Sequence, residues 1–258
     1  MAEVILYQID EATGVVTVTL NRPEKRNALN PELITGLEEA FTKAENDELV
    51  RVILLNANGK DFCSGMDLAH LEKTLDWSHD ELVADAMQLG NLFIHMRELP
   101  KPIVAAVHGN ALAGGCGLAT ACDIVFASED AHFGYPEVHI GFVPAMVMTM
   151  LIRNVGEKVA FELVATGRQV DASEAQRTGL INRVIDAKLL EKISRVFVSN
   201  LSERAAASIA LLKTLLYESK NIPFTQGIKR GAEINAEARE RQECRDGLRV
   251  FLARDRRE

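Results

Sequence analysis

Residues 103 to 128, IVAAVHGNALAGGCGLATACDIVFAS, constrain the fold more than any other stretch of this chain. The run opens on β-branched and small apolar residues, reaches three glycines at 114, 115 and 117, and ends on a second apolar segment. It reads as a buried strand feeding a buried helix, with another strand behind it. Glycine inside such elements costs about 0.5–1 kcal/mol relative to alanine. A cluster of them implies that the backbone approaches something bound.

Two familiar uses of a strand–glycine–helix unit fail here. GCGLAT keeps the first two glycines of a dinucleotide-binding turn but carries Thr120 at the third, and the unit does not open a βαβ fold with an acidic residue about 20 positions on. No Gly-Lys-Ser/Thr follows, so no P-loop is present. A third use fits. An N–H in the first turn of a helix has no intrahelical acceptor and has the helix dipole behind it. With no side chain at Gly114 or Gly115, a substrate oxygen can reach such a donor. The loop FCSGMDL offers a second one, with Gly65 turning the chain and Met66 presenting its N–H. Two main-chain donors make an oxyanion hole, each worth roughly 2.7–4 kcal/mol in a transition state.

The rest of the chain surrounds this unit with α/β elements. VILYQID and GVVTVTL predict an antiparallel hairpin across EATG. NRPEKRNALN is a basic turn, and a helix is expected from Pro31, capped by Asn30. VRVILLNA and KPIVAAVHG predict buried strands, and residues from about 69 to 98 are expected to be helical around Trp77, the only tryptophan. Two strands and then a helix, more than once, predicts stacked ββα units. Later, EKVAFELVATG and DASEAQRTG read as helices closed by glycine, and INRVI as a short strand. From Asp186 onward the chain is helix-rich and charged, with Pro223 and Gly231 expected as breaks. The organisation expected is a core over residues 1–200 and a helical oligomerisation region over residues 201–258.

Composition narrows the function classes. A net charge of −8 argues against a general nucleic-acid binder, while leaving room for a local basic pocket. The N-terminus reads as neither signal nor transit peptide, and no window is apolar enough to span a membrane, so a cytoplasmic protein is expected. Cys63, Cys116, Cys122 and Cys244 have neither CxxC spacing nor a histidine cluster, so reduced, mostly buried thiols are expected rather than a metal site or disulfides.

NRPEKRNALN, FCSGMDL, KPIVAAVHGNALAGGCGLATACDI, AHFGYPEVHIGFVP and GLINRVI occur in the order and spacing of a known family. The chain resembles the enoyl-CoA hydratase/isomerase, or crotonase, superfamily over nearly its whole length. The resemblance implies a spiral of ββα units with a C-terminal helical trimerisation region, assembling as a homotrimer or a homohexamer. It implies an acyl-CoA thioester substrate, with coenzyme A entering as part of that substrate and no metal or redox cofactor. Its oxyanion donors fall on Met66 and Gly114.

Family hydratases use two glutamates for proton transfer. One falls on Glu137, in the segment AHFGYPEVHIG; the other falls on Gly117 and is missing. Family isomerases manage with a single carboxylate near Glu137, moving a proton from C2 to C4. A Gly117→Glu change is accordingly expected to raise hydratase activity. The resemblance also carries coenzyme A contacts, partly through backbone groups of the GMDLA and NAL segments, onto Arg26, Asn27, Ala28, Leu29, Asp67 and Leu68, and near the C-terminus onto Phe251 and Arg254. Arg22, Lys25 and Arg26 lie where a phosphate-binding cluster would sit. The lysine that many members place after the oxyanion loop is Ala69 here, and the nucleophilic aspartate of the dehalogenase branch is Ala145. His108 and His139 read as hydrogen-bonded structural histidines, Asp67 and Asp123 as loop caps, and PAMVMTML as a pliable wall beside an acyl pocket. A non-catalytic acyl-CoA binder and an acyl-CoA hydrolase are the competing readings.

Overall fold

The runs flanking EATG pair as their alternation dictates. In the computed structural model, which describes residues 3–255, β1 (Ile5–Asp10) lies antiparallel to β2 (Val15–Leu20), with Ile5 opposite Leu20. A one-turn 3₁₀ segment at Pro23–Lys25 precedes α1 (Pro31–Asn46), where the Asn30 side chain accepts from the Leu33 N–H at 2.9 Å. Next come β3 (Val52–Ala57), α2 (Leu68–Lys73) and α3 (His79–Glu98). Then β4 (Ile103–Val107) and β5 (Asn110–Leu112) lead to α4 (Gly114–Ala121). β6 (Ile124–Ser128) and β7 (His132–Gly134) lead to a 3₁₀ turn at Pro136–Ile140 and to α5 (Ala145–Val155) and α6 (Glu157–Thr166). β8 (Gln169–Asp171), α7 (Ala172–Thr178) and β9 (Arg183–Ile185) follow. The chain continues through α8 (Leu190–Ser202), α9 (Ala206–Ser219), α10 (Phe224–Glu240) and α11 (Gln242–Asp255).

These elements wind as a spiral. A large sheet runs β1-β2-β3-β4-β6-β9 and is parallel from β2 onward; a small sheet runs β5-β7-β8. Each turn sends one strand to the large sheet, a short strand or single bridge to the small one, and returns through helix. The ββα expectation is met in this alternation between sheets. Both faces of the large sheet are covered, which explains its unbroken apolar strands. Val16, Val18, Ile53, Leu55, Ala105 and Val107 face the main core with α1, α3 and α4, while Val52, Leu54, Val104 and Phe126 pack under Leu190 and Val198 of α8.

Two expectations need correction. The helical stretch 69–98 is two helices, because Ser78 and Glu81 form a reciprocal capping box that starts α3 afresh. Gly231 breaks nothing: it lies inside α10, where a Cβ would meet open space, and of the two expected breaks only Pro223 separates helices. Among the described residues, no helix is long and apolar enough to cross a membrane.

Candidate active site

Three parallel segments of the small sheet lie in register. Cys63 bridges to Ala111, and Ala111 pairs with Phe133. Met66 lies three residues beyond Cys63, Gly114 three beyond Ala111, and Glu137 four beyond Phe133. The three residues singled out in the sequence therefore leave the same edge of one sheet, past the C-terminal ends of its strands, where open parallel sheets place their ligands.

Each N–H is freed by its local pairing. Leu29 bridges to Met66 using its neighbours: Leu29 N–H donates to the Gly65 carbonyl at 2.7 Å, and Asp67 N–H to the Leu29 carbonyl at 2.8 Å. In a parallel bridge this turns the Met66 N–H away from Leu29. Ala113 N–H is spent on the Gly134 carbonyl at 2.8 Å. Ala113 itself takes φ 50° and ψ −127°, a conformation alanine seldom adopts, and the chain then enters α4 at Gly114. The two loops touch, since a Cβ on Gly65 would stand 2.7 Å from the Ala113 Cβ, and one on Gly114 would stand 4.0 Å from the Met66 sulfur.

The three glycines of α4 do different jobs. At Gly114 a side chain would meet Leu29 at 3.0 Å and Leu89 at 3.4 Å. At Gly115 it would collide with the carbonyl and thiol of Cys63, so this glycine serves the packing of helix on loop and not a ligand. At Gly117 it would overlap Cγ1 of Val147 and come within 3.1 Å of the Phe93 ring. At this position α5 and α3 already fill the space with hydrocarbon, which weighs against the expected gain in hydration from Gly117→Glu.

Glu137 begins its 3₁₀ turn behind Pro136 and is 9% exposed. Its Oε2 has no hydrogen-bond partner. Burial pushes its carboxyl above the ordinary glutamate range, against a smaller lowering by a hydrogen bond with its own backbone. Burial also raises the Cys116 thiol, to about 11, and the Tyr135 hydroxyl well above its usual value; the Glu137 charge adds to both shifts. Cys63 is pushed up to about 12, again by burial first. Cys63, Cys116 and Cys122 are buried free thiols, as expected.

The basic loop divides into held and open groups. Arg22 is turned inward to Asp67 at 3.1 Å, so the expected cluster of three cations keeps two exposed members, Lys25 and Arg26. Arg26 is 69% exposed and 3.8 Å from Asp61. Asn27 is fully buried: its Oδ1 accepts from Arg22 N–H, and its Nδ2 donates to the carbonyls of Asn58 and Asp61. That side chain staples the loop and is not a ligand donor. Ala28 and Leu29 are buried, with their N–H groups spent on Lys25 and Gly65; only second lone pairs of their carbonyls remain open. Asp67 caps α2 through the Ala69 N–H. Burial raises its carboxyl, but the hydrogen bonds from Arg22 and Ala69 and the charges of Arg22 and Lys25 outweigh this and lower it. Leu68 is 73% exposed beside it. Phe251 is exposed on α11, whose main packing partner is α10; Arg254 lies in the same helix with its side chain outside the described residues.

Of the remaining sequence candidates, His108 hydrogen-bonds the Gly59 carbonyl at 2.9 Å and His139 the Gly167 carbonyl at 3.3 Å. Asp123 does more than cap the Ile103 N–H. It holds Lys213 at 2.9 Å and accepts from Tyr217 at 2.6 Å, clasping α9 to the core. Val147, against Gly117, lies in the PAMVMTML stretch read as a wall, whereas sequence reading missed Leu89 against Gly114 and Phe93 against Gly117, because nothing local marks one apolar residue in a helix as the neighbour of a distant glycine.

A family profile described as Enoyl-CoA hydratase/isomerase matches residues 10–257. A Thermus thermophilus relative, provisionally named an enoyl-CoA hydratase, is 41% identical over 94% of this chain and 96% of its own length. The short-chain-enoyl-CoA hydratase of Clostridium acetobutylicum is 31% identical over 95% and 93%. The crystal structure of an enoyl-CoA hydratase from Mycobacterium smegmatis superposes with a TM-score of 0.93, at 34% identity, over 97% of this chain and 96% of that one. With profile, sequence relatives and fold in agreement along its whole length, the chain belongs to the enoyl-CoA hydratase/isomerase family.

Proposed function

We propose that this protein moves the double bond of an enoyl-CoA through a thioester enolate. The thioester oxygen sits between the N–H groups of Met66 and Gly114, where negative charge develops against two fixed dipoles. Glu137 removes a proton from C2 and returns one to C4. A buried carboxylate with an unshared oxygen is a stronger base than an exposed one, which narrows its gap to a carbon acid. Lys25 and Arg26 face the anionic end of the coenzyme.

The closure of Gly117 by Val147 and Phe93 carries the choice of reaction. Hydration needs water held beside Cβ, and the flank where a second carboxylate would hold it is hydrocarbon. The names of the relatives favour the second reading, hydration supported by Glu137 alone. Purified protein assayed with a 3-enoyl-CoA and with crotonyl-CoA separates the two: double-bond shift without hydration supports the first, hydration alone overturns it. A thiol reagent reports hydrolysis. Coenzyme A binding without turnover of either substrate would mark a non-catalytic binder.

A further inference from the structure

The methionine wall read from PAMVMTML borders a cleft of about 650 Å³ between α3, α5 and α9, and the far end of that cleft is charged. Two helices line it in the same order. Met87, Ile94 and Arg97 share one face of α3, and Met146, Met150 and Arg153 one face of α5, so both faces change from hydrocarbon to guanidinium towards their C-terminal ends. Lys220, just past α9, adds a third cation. On a chain of net charge −8, none of the three forms a salt bridge among the described residues. Their acceptors are neutral: Arg97 donates to the Thr120 carbonyl, Arg153 to the Thr149 carbonyl and to Asn221, and Lys220 to the Arg153 carbonyl at 3.0 Å. The acids nearby are engaged elsewhere or open to solvent: Glu218 holds Arg230 at 2.7 Å, Asp123 holds Lys213 at 2.9 Å, and Glu98 is exposed. The Arg97 Nε is buried with no partner. Burial, with the charges of Arg97 and Arg153, pushes the Lys220 ammonium below its ordinary value.

We propose that these three cations read the far end of the acyl chain, and that the preferred thioester of this enzyme carries a second carboxylate there. The proposal rests on the reading above, in which Met66 and Gly114 hold the thioester oxygen. Leu89, which a side chain on Gly114 would meet at 3.4 Å, and Arg97 are eight residues apart on α3, about 12 Å of helix rise. A medium-length chain entering beside Gly114 therefore reaches the cations. Its middle meets the methionines, which adapt to chains of differing shape. The hydrocarbon wall accepts any such chain; the cations choose among them. A terminal methyl group would strip water from three charges and return no bond. A terminal carboxylate takes charge-assisted bonds, roughly twice as strong as neutral ones, and relieves the mutual repulsion of the cluster. The unpartnered Arg97 Nε–H is one donor still unused.

Calorimetric titration of the full-length protein with octanedioyl-CoA, octanoyl-CoA and coenzyme A tests this by binding, so the answer does not depend on which reaction follows. The dicarboxylic thioester is expected to bind at least about tenfold more tightly than octanoyl-CoA. Arg97→Gln and Lys220→Gln are each expected to lower that ratio at least about fivefold. Octanoyl-CoA binding as tightly as octanedioyl-CoA, and both more tightly than coenzyme A, overturns the proposal and leaves the reading of the thioester site standing. Neither thioester exceeding coenzyme A overturns both. A preference that survives both substitutions overturns the assignment to these cations. The comparison of the two thioesters on the unaltered protein decides the matter even if a substituted chain fails to fold.

Discussion

Gly65 and Ala113 stand face to face: a Cβ built on Gly65 would lie 2.7 Å from that of Ala113 and 3.1 Å from the Leu112 carbonyl. Both also have positive φ, 99° at Gly65 and 50° at Ala113. This is the point where the Met66 loop and the start of α4 meet. Gly65→Ala is expected to cost about 1–3 kcal/mol of stability, through strain and collision together. Ala113→Gly is expected to stabilise by up to about 1 kcal/mol by relieving its backbone. The double variant recovers the collision but not the strain at 65, so denaturant midpoints of all four proteins separate the two costs.

Glu137→Gln is expected to lower turnover by about 10²–10⁴-fold with coenzyme A affinity within a few-fold. Wild-type rates in that variant remove Glu137 from the mechanism. The unaltered enzyme should gain activity as pH rises through a value above the ordinary glutamate range, since the ionised form is the base and burial raises its pKa.

The same shift has a sign for stability. The folded state holds the Glu137 proton more tightly than the unfolded chain, so its contribution is full below the unfolded value of about 4.3 and is lost as pH rises through the folded one. Glu137→Gln should therefore melt higher than wild type near neutrality, with the difference vanishing at low pH. Equal melting temperatures near neutrality would mean that the carboxylate is not desolvated.

Gly117→Glu should destabilise by about 1–3 kcal/mol by overpacking, with no gain in hydration. Adding Val147→Ala opens the flank, and the double variant is expected to hydrate crotonyl-CoA faster than wild type. A gain from the single change would show that α5 shifts easily.

Lys213 is 6% exposed and bonds Asp123 and the carbonyls of Met96 and Lys101. Lys213→Met should cost about 3–5 kcal/mol, because it leaves the mostly buried Asp123 charge without its cation, held only by the Ile103 N–H and the Tyr217 hydroxyl. Adding Asp123→Asn should recover much of that, as read from chemical denaturation.

What the sequence made legible follows from locality. The hairpin, the Asn30 cap and the strands covered on both faces rest on neighbours in the chain, and motif order carried Met66, Gly114 and Glu137 to one edge. Which glycine opens and which merely packs could not be read, because Cys63, Val147 and Phe93 are distant in sequence. Nor could the sequence show that the Asn27 side-chain amide is consumed by the carbonyls of Asn58 and Asp61, more than thirty residues away. The break at Ser78 was readable from its capping box.

The register that aligns residues 63, 111 and 133 also governs which length changes the chain tolerates. Insertions in the long helical returns only lengthen a detour between successive coils. A single residue added between 63 and 66, or between 111 and 114, would turn a peptide group to the opposite side and point a carbonyl where an amide should be. On the proposed mechanism, drift in length is tolerated in the helical returns and forbidden in two spans of three residues.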